Sequence, residues 1–144
     1  MEDVYELYVR GTELLESGHN HQATIPLARA RDLAPDKTSI REALGRALFG
    51  AQRYEEAAEE FQAVIDRAPT NDYALFCLGR SLQMLGRHAE ARQPLAQAAG
   101  MAPGRHDYRI YRDRARARAG DSGEFGGDPD SPPSRGGAGF PGDD

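Results

Sequence analysis

The sequence predicts an all-α protein in which three helix–turn–helix units stack and a further helix closes the stack. Two observations carry that prediction. The first is an echo of 34 residues: written from Val4, Thr38 and Asp72, the chain places like residues at like offsets. Gly11, Gly45 and Gly79 align, three residues before Leu14, Leu48 and Leu82. Ala23, Ala57 and Ala91 follow, then Leu27, Phe61 and Leu95, then Ala30, Val64 and Ala98, and Pro35, Pro69 and Pro103 close each unit. A fixed period of this size marks a stacked architecture, in which no unit buries its apolar face alone. The second is apolar spacing within a unit. Leu44, Leu48 and Phe49 form one helical stripe and Ala57, Phe61, Val64, Ile65 and Ala68 another, on either side of a short break that begins at Gly50 and ends at Tyr54.

Each element follows in order. The first unit, residues 4–37, is expected to hold helices near 4–17 and 20–33. The second, 38–71, should hold 38–50 and 54–67, and the third, 72–105, should hold 72–85 and 88–100. Connections this short make the two helices of a unit pack antiparallel. Gly45 has no side chain and Ala57 a small one, so the helices of the middle unit can approach closely there. Each closing Pro sets φ for a turn that a helix does not readily continue through, and Asn71-Asp72 offers N-cap chemistry to the next helix. Pro26 and Pro94 stand at equivalent places inside second helices and are expected to bend them slightly. In residues 106–119, Tyr108, Tyr111, Ala115 and Ala119 share one helical face while Arg109, Arg112 and Arg116 cover much of the rest. A stack's last unit exposes an apolar face, so this segment reads as the capping helix.

In this pattern the chain resembles the tetratricopeptide repeat (TPR) family. That family's 34-residue unit carries a large residue, Leu-Gly, Tyr, Ala, Phe, Ala and Pro at characteristic places. The unit from Asp72 fills all eight in kind, with Leu75, Leu78, Gly79, Leu82, Ala91, Leu95, Ala98 and Pro103. The unit from Thr38 departs once, at Arg41, where a large apolar residue is usual; the unit from Val4 departs at Arg10, where Leu is usual. The resemblance covers residues 4–105, and 1–119 as a domain with its cap. It implies a right-handed α-solenoid and a non-catalytic adaptor or scaffold, holding a peptide segment or helix of a partner protein in a concave groove.

In the family, the second, fifth, ninth and twelfth places of each first helix line that groove. Here they hold Tyr5, Tyr8, Thr12 and Leu15; Ser39, Glu42, Arg46 and Phe49; and Tyr73, Phe76, Arg80 and Gln83, with Met84 adjacent. The core stripe is already filled by Leu7, Leu14, Leu44, Leu48, Leu75, Leu78 and Leu82. The aromatic row beside it is therefore expected to be an exposed interaction surface. Some TPR domains dock acidic C-terminal tails of heat-shock chaperones through a clamp of Lys, Asn and Arg. The matching places here hold Tyr8, Thr12, Ala43, Tyr73 and Cys77, none of which supplies a cation, so a carboxylate-clamp role is not expected. Self-association of the repeats, and nucleic-acid contact through the Arg-rich cap, remain as alternatives.

The net charge of −5 falls unevenly. Residues 1–119 hold 17 acidic and 17 basic side chains, whereas residues 120–144 hold Asp121, Glu124, Asp128, Asp130, Asp143 and Asp144 against Arg135. Twenty of those last 25 residues are Gly, Pro, Ser or Asp, so this acidic tail is expected to be disordered, with Phe125 and Phe140 its large apolar groups. Six arginines lie between Arg105 and Arg118, but two acids among them and the acidic tail weaken a nucleic-acid reading. No apolar run approaches a membrane span, no basic or hydrophobic leader precedes the first helix, and the single Cys77 suits a reducing compartment. A cytoplasmic location is expected.

Catalysis finds little support. His19 and His21 share a turn with no third ligand nearby, His88 starts a helix where Tyr54 stands in the middle unit, and Cys77 has no evident base. Glu55, Glu56, Glu59 and Glu60 read as a solvated helix face. No glycine-rich phosphate loop is present, so no enzymatic activity, metal or cofactor is expected.

Overall fold

Helix starts and stops follow local chemistry that recurs in each unit. In the computed structural model, which describes residues 2–124 and their side chains as far as Gly120, seven helices and no strand occur among the described residues. They are α1 (Val4–Glu16), α2 (Asn20–Leu33), α3 (Thr38–Gly50), α4 (Tyr54–Arg67), α5 (Asp72–Met84), α6 (His88–Met101) and α7 (His106–Glu124). The Asp3 carboxylate accepts from the Tyr5 amide at 2.9 Å, and the Asn71 side chain accepts from the Ala74 amide at 3.0 Å, so α1 and α5 begin on side-chain caps. Gly18, Gln52 and Gly86 take φ values of 82°, 64° and 78° at the same place in their units. The next amide then folds back to Leu14, Leu48 or Leu82, satisfying a helix-end carbonyl in each case.

The first six helices end within a residue of the boundaries expected from sequence, and α2 and α6 run unbroken through Pro26 and Pro94. The seventh is the exception. It passes Ala119 and continues to Glu124, because the Ala-Arg alternation propagates well and the first proline beyond it is Pro129. The expected start of the tail at residue 120 thus moves into a helix. Its expected disorder, over 125–144, lies outside the described residues.

One contact sets the spacing of each helix pair. A Cβ placed on Gly45 would stand 2.8 Å from the Phe61 ring, closer than real Cβ atoms approach. Gly11 and Gly79 meet Leu27 and Leu95 in the same way. Each first helix thus lies directly on one large side chain of its own second helix. Each later first helix, α3, α5 and α7, then packs on the second helix before it, and a continuous core follows from Ala23 and Leu27 through Phe61 and Leu95 to Tyr108.

Arg41 and Arg10, the two departures from the repeat pattern, have separate causes. Glu60 is only 6% exposed and holds Arg41 at 2.9 Å and Arg31 at 2.7 Å. Units one and three carry Leu7 with Pro26, and Leu75 with Pro94, at the places that Arg41 and Glu60 fill here. An ion pair replaces an apolar pair, and Arg31 ties it to the preceding unit. Glu60 is therefore not part of a solvated acidic face, contrary to its reading from sequence. Arg10, at the place that Leu44 and Leu78 hold in the later units, is exposed to solvent, where a charge carries no cost of burial.

At the other end α7 behaves as the first helix of an unfinished fourth unit. Tyr108, Tyr111 and Ala115 are buried against the third unit, and the Tyr108 hydroxyl bonds Asp72 at 3.1 Å. Where α5 carries Leu75, Leu78, Gly79 and Leu82 on the face that meets α6, α7 carries Arg109, Arg112, Asp113 and Arg116. A second helix packed there as in the other units would meet charge in place of an apolar face.

Two measurements test this account. Gly45→Ala should cost about 1–3 kcal/mol by overpacking, and Phe61→Ala about 3–5 kcal/mol. Their double variant should cost less than the sum, because the small side chain accepts the new Cβ; additive costs in urea unfolding would break the proposed contact. Ending the chain at Arg105 uncovers the α6 face that Tyr108 and Tyr111 bury. The melting temperature should fall by well over ten degrees or the transition should lose cooperativity, whereas a shift of a few degrees would remove the cap assignment.

Candidate partner-binding groove

The first helices of the units, α1, α3 and α5, bring the expected groove residues to one side of the stack, in different states. Tyr5 is 70% exposed, Tyr8 is half-buried against the core, and the Thr12 hydroxyl donates to the Val9 carbonyl at 3.0 Å. Glu42 accepts from the Asn71 side chain at 3.3 Å. Arg46 is exposed and forms no ion pair among the described residues. Phe49 meets Tyr54 edge-on at 5.1 Å, and Tyr73 is half-buried over Cys77.

The third unit departs from the expected open surface. Phe76 is 4% exposed and stacks on Tyr108 at 4.5 Å; Arg80 is 3% exposed and lies 4.0 Å from the Tyr111 ring centre. The Arg80 guanidinium also bonds Gln83 at 2.6 Å, and Met84 is half-buried beside it. Phe76 and Arg80 are therefore covered in this structure. The cause is in α7, which carries Tyr108 and Tyr111 at the places where α5 carries Ala74 and Cys77. The two rings reach over the third unit's stripe and close that end of the groove.

Among the described residues, a pocket of about 290 Å³ lies at its centre. Leu15, Arg46, Phe49, Tyr73 and Arg80 line it from three first helices, with Cys77 and Phe61 at its base and Asn20 and Gly50 at one edge. Sequence reasoning did not single out Asn20, Gly50, Phe61 or Cys77 as part of a site. The signal was weak: Gly50 admits the Asn20 side chain across a unit boundary, and nothing local to either residue announces that contact.

Among the described residues no three His, Cys, Asp or Glu side chains cluster as a metal site would require, and no helix is long and apolar enough to cross a membrane. Burial pushes the Cys77 thiol up to about 12 against the Tyr73 hydrogen bond, and Tyr73 is itself pushed up by burial and by the thiol.

The tetratricopeptide repeat pattern matches residues 8–72 and again 42–106. The chain belongs to the tetratricopeptide repeat family. Its fold is that family's right-handed α-solenoid, and solved TPR structures superpose on it. A MamA structure (MSR-1) superposes with a TM-score of 0.76 at 26% identity, over 83% of this chain and 68% of that one. The first TPR domain of Spaghetti (RPAP3), solved bound to an HSP90 peptide, gives 0.75 at 13% identity, over 81% and 92%. The Sgt2 TPR domain from Aspergillus fumigatus gives 0.74 at 13% identity, over 85% and 82%. At 13% the likeness is one of fold. No curated protein sequence matches the chain.

The thiol gives this geometry a chemical test. A raised pKa leaves less thiolate at pH 8 than a free cysteine has, so iodoacetamide should label native Cys77 at least about tenfold more slowly than the urea-unfolded chain. The sign for stability follows: the contribution is complete below the unfolded thiol's value of 9.0 and declines as pH rises toward about 12. Labelling at equal rates in both states would mean that the base of the pocket is open.

Proposed function

We propose that this TPR protein is a non-catalytic, cytoplasmic adaptor or scaffold that holds a peptide segment or helix of a partner protein in the concave groove of its first helices. One observation carries the reading. Side chains from three successive units converge on a single pocket that has apolar walls and an exposed guanidinium, Arg46, at its rim. Interfaces concentrate their energy in a few aromatic and arginine anchors that fill such pockets. The open part of the site comprises Tyr5, Tyr8, Thr12, Leu15, Glu42, Arg46, Phe49 and Tyr73, with Phe76, Arg80 and Met84 acting from beneath it.

The site differs from a carboxylate clamp. Ala43 and Cys77, at two of the clamp places, are buried, and Tyr8, Thr12 and Tyr73 at the others carry no charge. Capture of an acidic C-terminal tail by such a clamp is therefore not expected here. Nucleic-acid contact through the cap loses support as well, since Arg105, Arg112 and Arg116 pair with Asp107 and Asp113 on their own segment.

Capture from the native host's lysate, with mass spectrometry, tests the reading. Arg46→Glu and Tyr5→Ala change exposed groove residues, so both variants should keep the melting temperature, and together they should lower recovery of specific partners at least about tenfold. Replacing Phe76 is a poor test because it removes core packing under Tyr108. Full recovery with the Arg46→Glu, Tyr5→Ala protein would move the site off this face.

A further inference from the structure

The convex side of the stack, formed by the second helices, carries a furrow between α4 and α6 of about 530 Å³. Its floor is apolar, made by Leu78 and Leu82 of α5 with Ala58 and Pro94 at their sides. Its walls are acidic. Glu55, Glu59 and Asp66 come from α4 and Glu90 from α6, against a single lining guanidinium, Arg87. Arg87 is shared between Glu90 at 2.7 Å and Glu55 at 3.3 Å. Glu59 and Asp66 form no ion pair among the described residues, and Asp66 accepts from the Gln62 side-chain amide at 2.9 Å.

Neither the floor nor the acid is a requirement of the repeat. At the preceding seam, between α2 and α4, Arg31 reaches across to Glu60 at 2.7 Å and the Arg53 guanidinium donates to the Thr24 hydroxyl at 3.4 Å. One unit later the places of Arg31, Glu60 and Thr24 hold Ile65, Pro94 and Ala58, whose side chains make no polar bridge. Leu78 keeps 8% of its surface exposed where its equivalent, Leu44, keeps 1%. The acids vary as freely. The places of Glu55, Glu59 and Asp66 hold His21, Ile25 and Asp32 in the first unit and Ala89, Gln93 and Gly100 in the third. Glu55 and Glu59 also stand at i and i+4 of one helix, where like charges repel. The fold gains nothing from this arrangement, whereas a cationic ligand does.

We propose that this furrow docks a basic amphipathic helix of a partner protein, with its apolar ridge on Leu78 and Leu82 and its arginines or lysines against Glu59 and Asp66. The site is independent of the concave groove, so one stack can hold two partners on opposite faces. Three considerations select this occupant. Charge is complementary, and four carboxylates around an apolar floor both steer and orient a cationic segment. A helix satisfies its own backbone groups, whereas an extended segment would turn its carbonyls toward walls whose charged groups are mostly acceptors. Length also suits, since Glu55 to Asp66 covers about 16 Å of α4, or three turns of a docked helix. The cap of a second copy fits less well. Its Tyr108, Tyr111 and Ala115 are buried against the third unit and form no free apolar ridge, and its Arg105, Arg112 and Arg116 pair with Asp107 and Asp113.

The probe is a fluorescent synthetic peptide of about 15 residues, with leucines at i, i+4, i+7 and i+11 of one helical face and arginines on either side of them. Its anisotropy is read against the full-length chain. It should bind, weaken with added salt, and shift the methyl resonances of Leu78 and Leu82. A peptide of the same composition with its leucines dispersed around the helix should bind at least about fivefold more weakly. Glu59→Arg with Asp66→Arg should weaken binding about tenfold. Glu6→Arg with Glu13→Arg changes the net charge equally at exposed places on α1 and should leave binding within about twofold. Both double variants should keep their melting temperature, because these four side chains are exposed. Tyr5→Ala with Arg46→Ala should leave the peptide bound as before, so this proposal and the concave reading fail separately. The proposal is overturned by no binding at about 1 mM peptide, by equal binding of the dispersed peptide, or by equal losses from the two charge-reversed variants. Loss through Tyr5 and Arg46 would place the peptide in the concave groove and overturn it too. So would an oligomer of the full-length chain that light scattering shows to dissociate on Glu59→Arg with Asp66→Arg, since that result seats a second copy in the furrow.

Discussion

The whole molecule depends on a side chain that is missing. At one place in each unit a glycine lets the first helix rest on a large residue of the second: Gly11 on Leu27, Gly45 on Phe61 and Gly79 on Leu95. Any Cβ there would have to displace a buried side chain, so the contact fixes how near the two helices come. The pair then presents a seam of definite width, on which the next first helix sits. Because the same contact recurs at a period of 34 residues, the seam recurs also, and the concave row of first helices follows from repetition. The groove is a consequence of spacing set inside each unit.

The ends of a stack need different chemistry from its middle, and this chain alters the repeat at both. In the first unit described, Arg10 stands at a place that is apolar in the later units, and it is exposed. At the finish, α7 keeps the buried half of a first helix in Tyr108, Tyr111 and Ala115 and replaces the other half with charge. The cap also reshapes the candidate groove, since its two tyrosines cover Phe76 and Arg80 and leave its exposed part to the first two units and the edge of the third. Termination and site geometry are therefore linked through the same pair of rings.

Much of this was legible in the sequence, because a repeat states each structural requirement three times. The register of Gly11, Gly45 and Gly79 located the helix pairs, and six helices end within a residue of their expected bounds. What was not legible depends on neighbours distant in sequence. Phe76 and Arg80 occupy groove places by register, and only the bulk of Tyr108 and Tyr111, one unit later, decides that they are covered. Glu60 belongs to an acidic run that looks solvated until Arg31 and Arg41 arrive from two other helices. The central pocket likewise draws its walls from three helices, with Leu15, Arg46 and Tyr73 far apart in sequence. The end of α7 was missed for a simpler reason, since Gly120 and Ser122 look like a stop and Pro129 is the first residue that enforces one.

The account makes the concave face, and the pocket at its centre, the place where this TPR protein meets its partner. An amide chemical-shift map of the ¹⁵N-labelled full-length chain, recorded as a partner that the Glu59→Arg, Asp66→Arg variant also captures is added, tests that claim most directly. The largest changes should fall at Leu15, Arg46, Phe49 and Tyr73, from three successive units, with little change on the opposite, convex surface. Changes confined to Ile25, Glu59 and Gln93 on that convex side, or to Arg112 and Arg116 on the cap, with the pocket residues unmoved, would contradict it.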